Sequence, residues 1–267
     1  MTPIDRILLT GAAGALGRRL RPFLKGHCRT LRATDVAPLD PAGEGEEVVQ
    51  ADLADADAVL EMTRGVNAVV YMAGAGREGT YEEIYAGHMR GLYNVFEGAR
   101  RNGVRRVVWA SSIHAVGFHP FSKTLDLTER PRPDSTYGIA KAYGEAVAQC
   151  YFDKYGIEAV SMRICSCVPE PTERRHLSTW LSYADLERLV LAGLTCTRPD
   201  HTIVYGVSAN THAAYDNALA NHLGYRPQDD AEAFRARIEA ARPAHAPGDP
   251  AIATHGGPFS AAGHFEG

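Results

Sequence analysis

The chain is poor in several residues whose abundance would mark a particular class of protein. Its five cysteines, at positions 28, 150, 165, 167 and 196, are an odd number without zinc-finger spacing, which argues against a disulfide framework and a structural metal. Lysine occurs only at positions 25, 123, 141 and 154, no polybasic run is present, and the formal charge is -4 with a pI near 6.3. Such a balance provides no attractive field for a phosphate backbone, so nucleic-acid binding is not expected. No apolar run approaches the roughly 20 residues that span a bilayer, so no membrane role is expected. Met1 leads within a few residues into Arg6-Ile7-Leu8-Leu9-Thr10, which leaves no room for the apolar core and cleavage site of a signal peptide. A reducing cytoplasm is the expected location. The 11 histidines are scattered without an HExxH pattern, so no metal ligand is assigned.

What is present is an ordinary globular composition, 267 residues with 45% hydrophobic and 22% charged side chains, enough to bury a sizeable core. Apolar, β-branched runs recur at 7–10, 30–34, 47–50, 66–71, 106–110, 159–163 and 202–205, separated by helix-like stretches at 15–25, 56–64, 81–102 and 136–155. Strand and helix alternating in this way predict an α/β fold, a doubly wound parallel sheet covered on both faces. Residues 182–194 and 231–241 read as amphipathic helices, and 172–180 as a loop. Residues 1–241 are therefore expected to form a single dinucleotide-binding domain, with about 166–241 supplying a small annex over the substrate. The Pro-, Gly-, Ala- and His-rich stretch 242–267 is read as a tail, docked through Phe259 or Phe265 or else disordered.

The first strand runs into Thr10-Gly11-Ala-Ala-Gly14-Ala15-Leu16-Gly17 and then at once into a helix pattern. Gly11 permits a tight turn, Gly14 lets the backbone approach a pyrophosphate, and Gly17 lets the helix pack closely on the sheet. Asp35 follows the second strand, where a carboxylate accepts hydrogen bonds from adenosine ribose hydroxyls and repels a 2′-phosphate. NAD is thus the expected cofactor, although Arg18, Arg19 and Arg32 are near enough in sequence to leave NADP open. Asp52-Leu53 follows the third strand, in position either to flank the adenine or, through Asp52, to cap the next helix.

Tyr137 and Lys141 stand four residues apart, on one face of a predicted helix, with Ser111-Ser112 upstream. An ammonium beside a phenol favours the phenolate, turning a weak acid into a usable base. Half-ionisation near neutral pH asks for roughly 3 to 4 kcal/mol of differential stabilisation, since a free phenol titrates near 10. Lys141 and the positive ring of an oxidised nicotinamide are the expected sources.

Taken together, Gly11–Gly17, Asp35, Asp52-Leu53, Ala73-Gly74, Ser112 and Tyr137-x-x-x-Lys141 resemble the extended short-chain dehydrogenase/reductase superfamily. The resemblance implies a Rossmann-type fold, Tyr137 as the proton-transferring group, Lys141 as its activator and ribose ligand, and Ser112 as the partner of the reacting oxygen. It adds Ala15, Leu16, Ala73, Gly74 and Cys165 to the cofactor side, and relatives that self-associate imply a homo-oligomer. Within that superfamily, Ser111–Gly117, Arg163–Pro171 and Arg175–Trp180 are similar to the uronate dehydrogenases, which oxidise the anomeric carbon of glucuronate or galacturonate with NAD to a lactone. That similarity implies a small acidic sugar as substrate, Arg175 as its carboxylate clamp, and Ser166 and His114 as hydrogen-bonding groups. Three positions depart from the pattern: Ile113 replaces an Asn, Gly76 a Ser, and His88 the Asn common in extended members. Gly76 and Ile113 therefore lie on the substrate side without a hydroxyl-recognising group. The departures leave open a different sugar or hydroxy acid, an epimerase or dehydratase that retains its NAD, and a dinucleotide binder without catalysis.

Overall fold

In the computed structural model, which describes residues 4–246 and 248–263, the apolar runs become strands of one parallel sheet. The first half contributes β1 (Ile4–Thr10), α1 (Ala15–Lys25), β2 (Cys28–Asp35), β3 (Glu46–Gln50), α2 (Ala56–Met62) and β4 (Ala68–Tyr71). There follow α3 (Tyr81–Ile84), a π-helical segment (Tyr85–Arg90) and α4 (Gly91–Asn102), then β5 (Arg106–Ser112), a 3-10 turn (Ile113–Val116), α5 (Thr136–Tyr155) and β6 (Glu158–Ile164). The remainder forms β7 (Ser166–Cys167), α6 (His176–Thr179), β8 (Trp180–Leu181), α7 (Tyr183–Thr195), β9 (His201–Gly206), 3-10 turns at Ala218–Leu223 and Ala231–Phe234, and α8 (Arg235–Ala241), α9 (Pro250–Ala253) and α10 (Pro258–Ala261). No helix among the described residues is long and apolar enough to cross a membrane.

The sheet runs β3-β2-β1-β4-β5-β6-β9, every pairing parallel. Side chains alternate across it with the two-residue period of a pleated strand. Ile7 and Leu9 enter the layer beneath α1 and α7 with Leu20, Leu24, Leu186 and Val190, while Leu8 enters the opposite layer with Val59, Val95, Phe96 and Trp109 beneath α2, α4 and α5. Because all strands point one way, their carboxyl ends and the loops after them gather along one edge. The chain winds outward from β1 in one direction and from β4 in the other, and the crevice between them is where open α/β sheets place ligands.

Four local features differ from the sequence expectation. The helix expected over 81–102 is interrupted by the π-helical segment, whose extra residue per turn turns Ala86 and Gly87 toward the crevice. Asp55, not Asp52, caps α2, accepting from the amides of Asp57 and Ala58. The expected loop at 172–180 closes into α6, because the His176 imidazole accepts from the amides of Thr172 and Glu173 and turns the chain back. Within 166–241, α7 and β9 belong to the main layers; the annex is the β7–β8 pair, α6, α8 and their turns, with a small core of Leu177, Trp180, Ala231 and Ile238.

The C-terminal stretch, without clear period in sequence, is folded down onto the body. Asp249 caps α9, and the backbone then pairs with the loop after the 3-10 turn, His255 N donating to His119 O at 3.0 Å and Gly256 N to Gly117 O at 2.8 Å. Phe259 docks against His114; Phe265 lies outside the described residues.

Candidate active site

A cleft of about 400 Å³ opens at the switch point, lined by Gly11, Gly14, Asp35, Asp52, Leu53, Ala73 and Gly74 among the residues expected there. Thr34, Val36, Met72, Ala86 and Gly87 line it as well and carry no signature that sequence alone would single out. Gly11 has φ +70°, and a Cβ there would stand 2.5 Å from the Met72 carbonyl, so any side chain would force the loop off β4. A Cβ on Gly17 would collide with the Gly11 carbonyl oxygen and lift α1 from the sheet. Gly14 is the N-cap of α1, with no side-chain cap and no acidic residue in the first turn, so the amides of Ala15, Leu16 and Gly17 remain available to an anion.

Asp35 is fixed at the rim by two amides, Ala13 N at 2.9 Å and Ala37 N at 3.0 Å. The arginines that could have favoured a phosphate there are engaged elsewhere: Arg19 with Glu187 at 2.8 Å, Arg32 with Glu47 at 2.6 Å, and Arg18 with the Ala13 carbonyl at 2.8 Å. A glycine cradle, an open helix start and an unneutralised rim carboxylate together fit NAD.

Tyr137 and Lys141 lie in the first two turns of α5, whose start is doubly capped. Ser135 accepts from Gly138 N at 2.9 Å, and Glu78, reaching across from the loop before α3, accepts from Thr136 N at 2.8 Å and Tyr137 N at 3.1 Å. Lys141 Nζ donates to the Ala110 carbonyl at 2.7 Å and stands 5.2 Å from the Tyr137 ring centre. Ser112 ends β5 and accepts from His114 N at 3.3 Å. Tyr137, Lys141 and Ser112 are all buried. Burial pushes the Tyr137 phenol up to about 12, with the Ser112 hydroxyl pulling the other way, and pushes Lys141 down to about 7. The nearby Asp134 carboxylate adds to the rise of the phenol, so burial and Asp134 together set its direction in the polypeptide alone.

His88 sits behind this pair, its ring centre 5.1 Å from that of Tyr137 in an edge-to-face arrangement and its Nε2–H donating to Ala75 O at 3.0 Å. Burial, reinforced by Lys141, lowers it to about 3, so it is a neutral imidazole. Its Nδ1 is buried and finds no partner among the described residues.

Among the residues expected on the substrate side, Ser166 donates to Thr179 Oγ1 at 2.8 Å, which donates in turn to the Arg175 carbonyl at 3.0 Å, tying β7 to the turn that carries Arg175. The Arg175 guanidinium donates to the His255 carbonyl at 3.0 Å, and among the described residues no carboxylate pairs with it. Its charge is felt at Cys165, where burial nevertheless pushes the thiol up to about 12. Cys165 and Ile113 do not line the cleft; Ile113 packs with Val116, Leu125, Tyr205 and Tyr215, and Cys165 packs against that cluster. Gly76 is exposed, and a side chain there would meet open space. His114 donates from Nδ1 to Asp134 at 2.8 Å and stacks on Phe259 with ring centres 4.0 Å apart.

Sequence reading passed over Glu78, Asp134 and a buried network behind Tyr137 and Lys141. Glu145, one turn beyond Lys141, is held by Arg163 at 2.9 and 2.8 Å and accepts from Ser111 at 2.7 Å. It joins α5, β5 and β6 beneath Ser112. The Asp134-Ser135 pair before a helix pattern was the one available signal, as a capping sequence.

A family model described as the NAD dependent epimerase/dehydratase family matches residues 7–199. The uronate dehydrogenase of Pseudomonas putida is 48% identical over 265 residues, covering 99% of this chain and 98% of that protein; that of Agrobacterium fabrum is 44% identical, covering 96% and 97%. Among solved structures, a tyrosine-to-alanine mutant of Agrobacterium tumefaciens uronate dehydrogenase complexed with NAD superposes with a TM-score of 0.96 at 42% identity, covering 98% of this chain and 99% of that one. Glucuronic acid dehydrogenase from Chromohalobacter salexigens gives 0.96 at 39% identity, covering 98% of each chain. With its glycine cradle, rim aspartate and Ser-Tyr-Lys group inside the span of that family model, the chain belongs to the NAD dependent epimerase/dehydratase family.

Proposed function

We propose that this chain is an NAD-dependent dehydrogenase that oxidises the anomeric hydroxyl of glucuronate or galacturonate to a lactone. The observation that carries this reading is Arg175: a guanidinium on the substrate side whose charge no carboxylate among the described residues neutralises, in a chain nearly half identical to uronate dehydrogenases. Its planar fork of donors suits a carboxylate.

Gly11, Gly14, Gly17 and the amides that open α1 would hold the pyrophosphate, while Asp35 would take the adenosine ribose hydroxyls and Asp52-Leu53 and Ala73-Gly74 would form the walls. NAD, when bound, would supply the acceptor for the hydride of the anomeric C–H and a positive ring that favours the Tyr137 phenolate. Tyr137 Oη takes the proton of the anomeric hydroxyl, and Ser112 donates a hydrogen bond to the same oxygen as it becomes a carbonyl. Lys141, beside the ring of Tyr137, favours the phenolate once that proton has left. Arg175 holds the carboxylate, with Ser166 and His114 engaging hydroxyls. The substrate is thus a small acidic sugar, and we further propose that the enzyme works as a homo-oligomer through the face of α4 and α5.

Absorbance at 340 nm with enzyme, glucuronate or galacturonate, and either NAD or NADP tests the reaction. NADH forms from both acids, at higher kcat/KM than NADPH, and Tyr137→Phe loses at least about a hundredfold in kcat. Absence of NADH from either uronate sinks the proposal; product without NADH release would mark an epimerase or dehydratase.

A further inference from the structure

The two side chains assigned to the substrate, the Arg175 guanidinium and the His114 imidazole, are both held by one short stretch of the C-terminal segment, residues 254–261. His255 bolts that stretch to the body: its side chain is fully buried, accepting from Tyr215 Oη at 3.2 Å and donating from Nε2 to Lys123 O at 2.9 Å. Its carbonyl then takes the Arg175 Nη2 hydrogen at 3.0 Å, which uses one of five guanidinium donors and leaves the positive charge intact. By contrast the charges of Arg163, Arg106 and Arg188 are each paired with a carboxylate. Gly257 has φ +60°, and a Cβ there would collide with the Arg175 guanidinium, so this position needs glycine for both conformation and room.

Two residues on, Phe259 lies nearly parallel to His114, 21° between planes, and its centre is 6.2 Å from that of Tyr137. The other side of the arrangement is Asp134. It accepts from His114 Nδ1 at 2.8 Å, Ser135 Oγ at 2.8 Å and Ser260 Oγ at 3.4 Å, with no side-chain exposure. That carboxylate fixes the proton on Nδ1 and leaves Nε2 as the acceptor. Asp134 and Phe259 thus lock the ring in tautomer and tilt.

We propose that residues 254–261 are a specificity-determining wall of the substrate site. Gly257 and the His255 carbonyl position Arg175 for a sugar carboxylate, and Phe259 with Asp134 positions His114 for a hydroxyl. This rests on the uronate reading above, and the catalytic group itself does not depend on it. Gly257→Ala displaces the guanidinium, and Phe259→Leu removes the ring while keeping an apolar anchor.

The experiment compares both variants with the unmodified enzyme in glucuronate KM, NAD KM, melting midpoint, and Ki for galactose, a neutral counterpart, as a competitive inhibitor. Gly257→Ala raises glucuronate KM about tenfold or more while galactose Ki and NAD KM move less than about twofold. Phe259→Leu raises glucuronate KM and galactose Ki together, with NAD KM unchanged. Variants that melt with the unmodified enzyme and keep its glucuronate KM overturn the proposal. A general loss, in which NAD KM rises in step, overturns it too, since that is packing and not recognition. An unmodified enzyme with no uronate activity is the separate failure of the reading on which this stands.

Discussion

A lysine ammonium shut away from water, with the Ala110 carbonyl as its hydrogen-bond acceptor, is held against its own solvation. Burial brings Lys141 from 10.5 down to about 7. Between those values the unfolded chain binds the proton that the folded chain has released, so this group makes stability rise with pH across the window. Below about pH 7 the folded protein carries the full penalty; toward pH 10.5 it vanishes. Lys141→Met is therefore expected to abolish turnover and yet raise the urea midpoint at pH 7, a gain of about 1 to 2 kcal/mol that shrinks by pH 10. An unchanged or lower midpoint at pH 7 would count against this account. At this scale the residues most legible in the sequence are those whose spacing is local: Gly11, Gly14 and Gly17 on one turn, Tyr137 and Lys141 on one helix face. The upward shift of Tyr137 was not legible, because desolvation depends on what packs around a residue, including His88 and Phe259, and not on its neighbours in sequence.

Helix α5 shows how an element carries chemistry that its own sequence only partly describes. Its hydroxyl cap, Ser135, is adjacent and readable; its carboxylate cap, Glu78, arrives from the loop before α3 and is visible only once the fold closes. Farther along the helix, Glu145 and Arg163 form a buried ion pair, and Ser111 takes a place in it. Removing one partner leaves an uncompensated charge, so Arg163→Met should cost about 3 to 5 kcal/mol in chemical denaturation. Glu145→Leu added to Arg163→Met should recover much of the loss, since a well-packed apolar pair replaces two desolvated charges. A single variant as stable as the unmodified protein would show that the pair does not hold α5 to the sheet. The alternation of strands and helices was readable because each strand's hydrophobic period is set by its own burial. The C-terminal turns were not, because 254–261 take their conformation from the 117–121 loop and from Arg175, which their composition does not reveal.

For the molecule as a whole, the proposed self-association rests on an aromatic strip. Tyr85 and Tyr93 from the π-helical segment and α4, with Ile139 and Tyr155 from α5, all remain exposed, and the Tyr143 phenol is raised by burial and by the nearby Tyr93 and Tyr85. A contiguous apolar patch of this kind suits a second copy of the same face. Light scattering should return at least twice the 28.9 kDa of one chain, and Tyr93→Glu with Tyr155→Glu should lower it toward one. A monomer at all concentrations would remove the proposal. The architecture also separates two halves of the task along the chain. The dinucleotide cleft is lined by residues between Gly11 and Gly87, whereas Arg175 and His114 are held by carbonyl and ring from 255 and 259. A ribosome therefore delivers the dinucleotide cleft long before the stretch that holds Arg175 and His114, and a protease trimming the finished chain near residue 250 would remove that stretch alone, leaving the cleft lining whole while the guanidinium loses the His255 carbonyl and the imidazole loses the Phe259 ring.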